Sequence, residues 1–221
     1  MLVKDFITKE LPVLKSFDTI EYALALMDDF KLKHLPLVND EQIYFSLLAE
    51  KDLLAQPDLS AVVGEPVPVF APSVDEQSHI HEVLALMTRY QLSLLPVTDQ
   101  EGHCLGVVTR DKMVDVMSDM CQAEAAGSVV VLELMPQDYS LSEIARLIES
   151  NNAHVLNLLS QTDRSTGRLL ITIKVDLEDA SPVIRSFERF NYTVRYHFMK
   201  KGMVDEMLQQ RMDELFYYMN I

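Results

Sequence analysis

The chain lacks several features that define whole classes of protein. Its 221 residues include two cysteines, Cys104 and Cys121, which are too few for a disulfide scaffold. No CxxC or Cys/His cluster has the spacing of a zinc site. No apolar run approaches the roughly 18 residues that a membrane span needs. The N-terminus carries charges where a secretory signal needs a continuous apolar region, so we expect a cytoplasmic protein with reduced thiols.

Basic residues and catalytic motifs are also scarce. Only 19 Lys and Arg stand against 34 Asp and Glu, a net charge of −15, and residues 1–127 hold nine of the basic and 21 of the acidic residues. This charge repels phosphate backbones and anionic lipids, so neither nucleic acid nor membrane is an expected partner. There is no P-loop, GxSxG or HExxH motif, and no nucleophile–base–orienter set, so we expect no enzyme activity.

The first half of the chain repeats itself at a constant spacing of 60 residues. The matching pairs are Glu21–Met27 with His81–Met87, Leu32–Val38 with Leu92–Thr98, and Phe45–Leu54 with Leu105–Val114. Ahead of them the second copy is longer by four residues, so the opening segment Pro12–Lys15 is matched with Pro68–Ala71.

Each copy predicts a short strand, an amphipathic helix, two strands and a second helix. In the first copy the helix stripe is Ile20, Ala23, Leu24, Met27 and Phe30, with Asp18 or Thr19 as the N-cap. Strands follow at Leu35–Val38 and Ile43–Leu48, and the second helix begins near Glu50. A unit of this size cannot cover its own sheet, so we expect the two copies to pack face to face.

The second half predicts the order βαββαβ, which is typical of a ferredoxin-like sandwich. Ser140 and Glu143 form a capping box at the first helix, and Ser181 is predicted to cap the second helix, with Pro182 as its first residue. The predicted strands are 129–134, 155–160, 169–175 and 193–198. Beyond them, apolar residues at helical spacing predict an amphipathic C-terminal helix over 199–221, docked on the body or on a partner subunit.

These patterns resemble known families. The amphipathic helix, the h-x-x-x-L-P-h-h strand and the G-h-h-[ST]-x-x-D segment resemble the CBS domain, and the tandem resembles a CBS pair. Residues 128–198 resemble an ACT domain, and the complete order resembles the acetoin-utilisation AcuB-type regulatory proteins. The resemblance implies an α+β chain with CBS repeats at 1–60 and 61–127, an ACT-like domain at 128–198 and a C-terminal helix at 199–221.

CBS pairs bind adenosyl compounds in clefts between the repeats. The resemblance implies that Lys33 and His34 hold phosphate ahead of the Leu35-Pro36 motif, while Asp52 holds ribose. In the second copy it implies a contact from Thr109, and Lys112 replaces the Asp of the motif. The predicted nucleotide-binding residues are therefore Lys33, His34, Leu35, Pro36, Asp52, Thr109 and Lys112. The first copy has Ala49 where Thr is expected, and the second has Ser93-Leu94 ahead of its L-P, so the first copy is the better candidate.

Structural explanations compete with each assignment. Cations at a helix end, such as Lys33 and His34, favour the helix macrodipole without any ligand. Asp52 is suited to cap the following helix, and Pro36 is suited to a strand edge. In the ACT-like half, Tyr139 stands near the position where amino-acid-binding domains carry Gly, which disfavours an amino-acid ligand. We expect this sheet to pair with a second copy instead.

Two functions follow from the resemblance. The first is a ligand-sensing regulatory protein that binds AMP, ATP or S-adenosylmethionine, has no fixed cofactor, and passes the change to a regulated protein through an ACT-containing homodimer. The alternative is a non-sensing dimeric scaffold with degenerate CBS sites. The acidity of residues 1–127 favours a ligand of low negative charge, or a chelated one, held by the first copy.

Overall fold

The computed structural model describes residues 1–64 and 70–199. The predicted C-terminal helix therefore lies outside the described residues, apart from Met199. The chain divides into two compact units, Met1–Met117 and Ser118–Ile221. Within the described ranges no helix is long and apolar enough to cross a membrane.

The first unit consists of two repeats with the same order of elements. Repeat one comprises β1 (Leu14–Lys15), α1 (Ile20–Asp29), β2 (His34–Val38), β3 (Tyr44–Ala49) and α2 (Glu50–Leu54). Repeat two comprises β4 (Val74–Asp75), α3 (Ile80–Tyr90), β5 (Leu94–Thr98), β6 (Cys104–Thr109) and α4 (Arg110–Met120). Each repeat forms a three-stranded sheet, in the orders β1-β2-β3 and β4-β5-β6.

Helix α1 follows the predicted stripe closely. Thr19, not Asp18, is its N-cap, and the Thr19 side chain accepts a hydrogen bond from the Tyr22 N–H at 3.2 Å. Ile20, Ala23 and Met27 are buried against the sheet of repeat one. The helix ends at Asp29, so the last residue of the predicted stripe, the half-exposed Phe30, is its C-cap instead.

The opening strands correct the sequence alignment. β1 pairs in parallel with β2 through Leu14 and Leu37, and β4 pairs in parallel with β5 through Val74 and Val97. The 60-residue offset therefore extends through these strands, and the predicted match of Pro12–Lys15 with Pro68–Ala71 is wrong. Extended apolar segments look alike without their partners, and only strand pairing distinguishes them.

Each repeat is completed by a segment that precedes the other. The Val3 N–H donates to the Ser78 carbonyl at 3.0 Å, so the N-terminal residues close repeat two. Sixty residues later, the Val63 N–H donates to the Asp18 carbonyl at 2.9 Å and closes repeat one in the same way. These bonds satisfy backbone groups next to the start of each long helix, so each repeat receives backbone hydrogen bonds from a segment outside it.

The second unit has the predicted βαββαβ order. Its elements are β7 (Ser128–Leu134), α5 (Leu141–Glu149), β8 (Val155–Thr162), β9 (Leu169–Val175), α6 (Ser181–Arg189) and β10 (Thr193–Phe198). The antiparallel sheet has the order β10-β7-β9-β8, which is the ferredoxin-like arrangement. One face of the sheet carries Leu132 and Ile173, which pack with Ile144 and Phe187 of the helices into a buried core.

The two helix starts of this unit differ from each other. At α5 the Ser140 hydroxyl accepts the Glu143 N–H at 3.3 Å, as predicted. At α6 the prediction is wrong by one residue, because Ser181 is already helical and the N-cap Ala180 offers no side chain. The Asp179 carboxylate instead accepts the Ser181 N–H at 2.9 Å, so an acidic residue ahead of the helix satisfies that donor.

The other face of this sheet is partly open. Asn157 and Lys174 lie on it and donate to the carbonyls of Met120 and Ala123, at 3.0 Å each. Residues 120–123, which belong to the second unit, therefore cover that side. Towards β10 the face is exposed and apolar. Phe198 is 65% exposed, and its ring lies 5.7 Å from that of Tyr196.

Candidate functional site

A cavity of about 310 Å³ lies between the two repeats of the first unit. Its lining residues are Lys33, His34, Ala49, Glu50, Lys51, Tyr90 and Gln91. We call it the inter-repeat cavity. The first five come from the ends of β2 and β3 and the start of α2, and the last two come from the end of α3. Because both repeats supply walls, a ligand in the cavity contacts both.

His34 and Ser93 join the repeats at one wall of this cavity. The Ser93 N–H donates to His34 Nδ1 at 3.2 Å, and the Ser93 hydroxyl lies 3.0 Å from the same nitrogen. The Lys33 N–H donates to Ser93 Oγ at 3.2 Å. Ser93 stands 60 residues after Lys33, so equivalent positions of the two repeats meet here.

The electrostatics of the cavity favour an anionic group. Burial lowers the pKa of His34, and the charges of Lys51, Arg110 and Lys33 lower it further, against an opposing effect of Asp52. Burial is the largest cause of the lowered pKa, and the three cations add positive potential at the ring despite the acidic surface of the protein. Phosphate oxygens are suited to such a place, since charge-assisted hydrogen bonds are about twice as strong as neutral ones.

An aromatic wall faces these cations. Tyr90 is the last residue of α3, and its ring meets the Phe70 ring edge-on at 5.1 Å between centroids. The Phe70 carbonyl accepts the Leu47 N–H at 2.8 Å, which fixes the Phe70 backbone beside β3. Tyr90, which lines the cavity, offers a ring face on which a planar base can stack, and Phe70 packs against Tyr90.

The structure separates the predicted site residues. Lys33 and His34 line the cavity, while Leu35 and Pro36 are buried in β2. Pro36 does not lie at a sheet edge as predicted, because β2 is the central strand. It is tolerated there because β1 pairs only with Leu37 and Val38, beyond the missing N–H.

The three remaining predicted residues do not line this cavity. Asp52 is exposed in the first turn of α2, close enough for its charge to act on His34. It is not the cap of α2, since the N-cap is Ala49, which makes no side-chain bond. The Thr109 hydroxyl accepts the Lys112 N–H at 3.2 Å and so caps α4. These two residues therefore have a structural role that requires no ligand.

Several cavity residues escaped the sequence analysis. Tyr90, Gln91 and Lys51 carry no motif, and Arg110 acts on His34 while donating from Nε to the Leu92 carbonyl at 2.6 Å. The usable signal was the repeat itself. Lys33 contacts Ser93, 60 positions later, and Arg110, which acts on His34, stands 60 positions after Glu50.

A second cavity, of about 480 Å³, belongs to the second unit. Asp138 and Glu143 lie on one side, and Tyr192 donates to Glu143 Oε2 at 3.2 Å. Burial and the charge of Glu143 raise the pKa of Tyr192. The Tyr139 ring packs against the core of this unit and does not line the cavity.

Two closely similar repeats with a shared cavity define a tandem-repeat module, and its family follows from comparison with known proteins. The chain belongs to the CBS domain family, whose model matches residues 3–57 and 63–119. These two matches form the CBS pair that the sequence motifs indicate.

Solved structures share this fold. A CBS domain pair/ACT domain protein from Thermotoga maritima superposes with a TM-score of 0.50 at 24% identity, covering 54% of this chain and 98% of that one. A structure described as an acetoin utilization protein (AcuB) from Vibrio cholerae gives 0.50 at 21% identity, covering 56% and 95%.

Among curated proteins, the inosine-5'-monophosphate dehydrogenase of Methanocaldococcus jannaschii is 25% identical over 109 residues. The match covers 49% of this chain but 21% of that enzyme. The chain thus spans about a fifth of this relative, and the activity in the relative's name is not carried over.

Proposed function

We propose that this protein is a ligand-sensing regulator that binds an adenosyl compound in the inter-repeat cavity. The observation that carries the proposal is the cavity itself, in which two lysines of repeat one face an aromatic residue of repeat two. A volume of about 310 Å³ lies at the lower end of the range for small-molecule sites, roughly 300–1,000 Å³. Membership of the CBS family supports the same ligand class.

The residues divide the work of binding. Lys33 and Lys51 contact the phosphate, and His34 adds a hydrogen bond. Tyr90, supported by Phe70, stacks on the adenine. Glu50 is the acidic residue that lines the cavity, and its carboxylate is suited to accept a hydrogen bond from a ribose hydroxyl. The surrounding acidity favours AMP or S-adenosylmethionine over ATP, because added phosphates meet the negative charge of residues 1–127.

Signalling follows from the position of the cavity. A ligand that contacts both repeats stabilises one relative arrangement of them in proportion to its differential affinity for that arrangement. The ferredoxin-like second unit, which we assign as ACT-like, then transmits the change through a homodimer. Its exposed face near Tyr196 and Phe198 supports this assignment, since contiguous exposed apolar surface marks interaction sites.

The test is thermal unfolding of the full chain with AMP, ATP and S-adenosylmethionine. A ligand at 100 times its Kd stabilises by about 2.7 kcal/mol. Lys33→Gln is expected to weaken AMP binding about tenfold, which corresponds to 1.4 kcal/mol, and to leave adenosine binding unchanged. Tyr90→Ala is expected to weaken both ligands, because stacking contributes about 1–3 kcal/mol per base.

The chain offers matched controls. Lys31→Gln changes a lysine two residues earlier that is 78% exposed, pairs with Asp28 at 2.9 Å and lies outside the cavity lining. Phe30→Ala changes the repeat-one equivalent of Tyr90. Both variants are expected to bind like the wild type. If no adenosyl compound shifts the transition at millimolar concentration, the scaffold hypothesis replaces the sensor.

A further inference from the structure

The contact between His34 and Ser93 has a definite donor pattern. A backbone N–H only donates, so the bond from the Ser93 N–H, 3.2 Å from His34 Nδ1, requires a lone pair on that nitrogen. The Ser93 hydroxyl accepts the Lys33 N–H at 3.2 Å, which leaves its hydrogen free to donate to Nδ1 at 3.0 Å. Two donors from one residue thus point at the same ring nitrogen.

A neutral imidazole with an unprotonated Nδ1 carries its hydrogen on Nε2. Protonation would place an Nδ1–H against the Ser93 N–H, donor against donor. The charged groups around the ring act in the same direction, since Lys33, Lys51 and Arg110 lower the His34 pKa, as burial does, and only Asp52 opposes them. Glu50 is an acidic group that also lines the cavity.

We propose that Ser93 is a positioning residue that holds His34 in the neutral Nε2–H tautomer, so that His34 serves the cavity as a hydrogen-bond donor and not as a cation. The second repeat thereby sets the chemistry of a first-repeat side chain. The tautomer requires no ligand, whereas its use in recognition rests on the proposed function. Lys33 and Lys51 then supply the positive charge, and His34 supplies a directional hydrogen bond from its Nε2–H.

The first test uses the ligand-free full chain labelled with ¹⁵N in its six histidines. Long-range ¹H–¹⁵N correlation is expected to show His34 Nδ1 unprotonated and Nε2 protonated at pH 7.5, with a titration midpoint below 6.5. His103 and His154 are internal controls. Their Nδ1 atoms lie 2.9 and 2.8 Å from the Asp99 and Asp176 carboxylates, which only accept, so they are expected to show the opposite tautomer. A proton on His34 Nδ1 at pH 7.5 would overturn the proposal.

Two variants test the role of Ser93. Ser93→Ala removes one of the two donors, so signal from the Nδ1–H tautomer of His34 is expected to appear. Ser93→Thr keeps the hydroxyl and is expected to restore the wild-type nitrogen shifts. Identical His34 nitrogen shifts in the wild type, Ser93→Ala and Ser93→Thr would mean that the Ser93 side chain does not set the tautomer.

The binding test separates this inference from the proposed function. His34→Asn keeps an acceptor near the position of Nδ1 and lacks the Nε2–H, so AMP affinity is expected to fall about tenfold while the unfolding midpoint stays near that of the wild type. If the wild type binds AMP and His34→Asn binds it equally tightly, His34 does not act as a donor to the ligand. If the wild type binds no AMP, ATP or S-adenosylmethionine, the proposed function fails, while the nitrogen spectra still decide the tautomer.

Discussion

The two repeats of the first unit share a fold and differ in chemistry. Every strand and helix of repeat one has an equivalent 60 residues later in repeat two. At the start of the second helix, repeat one has Ala49, which lines the inter-repeat cavity and caps nothing, while repeat two has Thr109, which caps α4. Ahead of the L-P strand, repeat one presents Lys33, and repeat two presents Ser93.

Under the proposed function, this difference places ligand binding on one repeat and structural support on the other. Repeat one lacks a side-chain cap at Ala49, and Ala49 lines the cavity together with two lysines. Repeat two has the Thr109 cap and no lysine ahead of its L-P strand. Its Ser93 instead forms hydrogen bonds with His34 of repeat one. Duplication therefore does not imply two equal sites, and substitutions at matched positions are expected to act differently in the two repeats.

The largest expected effect concerns a glycine that only repeat two needs. Gly106 has a φ of +145°, and a Cβ there would lie 2.5 Å from Ile7 Cγ2 and 2.7 Å from the Thr8 carbonyl oxygen. The equivalent position in repeat one is the buried Ser46. Gly106→Ala is expected to cost about 2–5 kcal/mol of unfolding free energy, from backbone strain and overpacking together, measured by urea unfolding.

Gly102→Ala is the control for backbone strain alone. Gly102 also has a positive φ, +87°, but the nearest atom to its Cβ would be Ile43 Cγ2 at 3.8 Å. We expect a loss near 1 kcal/mol, the lower end of the range for strained backbone. Equal losses in the two variants would mean that the N-terminal segment does not pack on β6 in solution.

The sequence predicted the repeat architecture because its causes are local. The stripe of Ile20, Ala23 and Met27, the Thr19 cap and the L-P strands each follow from spacing and residue type. The βαββαβ order of the second unit follows from the same kind of pattern, including the Ser140 cap. The predicted start of α6 was wrong because the acceptor is Asp179, two residues before Ser181, in place of a serine cap. The match of the opening strands was wrong because pairing with a distant strand decides it.

The candidate site was predicted only in part, for a physical reason. Lys33 and His34 belong to a motif of one repeat, whereas Tyr90 and Arg110 reach the same place through packing of the other. A cavity between repeats is a long-range property, and no spacing within one repeat encodes it. Asp52 and Thr109 fit a family motif, but Asp52 lies exposed outside the cavity lining, and Thr109 makes a local cap with Lys112.

An intermediate effect is expected from exchanging the cap between repeats. Thr109→Ala removes the acceptor for the Lys112 N–H and is expected to cost about 1 kcal/mol. Ala49→Ser offers α2 a cap at an extended backbone position, φ −104° and ψ 138°, and is expected to gain up to about 1 kcal/mol. Urea unfolding of both variants measures the asymmetry. A stabilised Ala49→Ser that also binds AMP less tightly would link the missing cap to the cavity, whereas a destabilised one would contradict the capping argument.

The smallest effect distinguishes the two hairpin turns by pH. In repeat two the Asp99 carboxylate accepts the His103 N–H at 2.8 Å, and in repeat one the Asn39 side-chain oxygen accepts the Ile43 N–H at the same distance. Partial burial acts to raise the pKa of Asp99, but the hydrogen bonds from His103 outweigh it and the net pKa is lowered. The carboxylate therefore stabilises the fold above the usual Asp pKa of about 3.9, and this contribution is lost as pH falls through the lower folded value.

Exchanging the turn residues isolates that contribution. Asp99→Asn keeps the acceptor for the His103 N–H and removes the titration, so the wild type is expected to exceed this variant in stability most near neutral pH, with a difference that shrinks below about pH 4. Asn39→Asp introduces the carboxylate into repeat one, where Ile43 offers only its backbone N–H and no ring nitrogen, so a weaker pH dependence is expected there. Urea unfolding between pH 3 and 7 makes the comparison. A difference between wild type and Asp99→Asn that stays constant over this range would mean that the His103 bonds hold the charged and neutral carboxyl equally, and the two turns would then be equivalent after all.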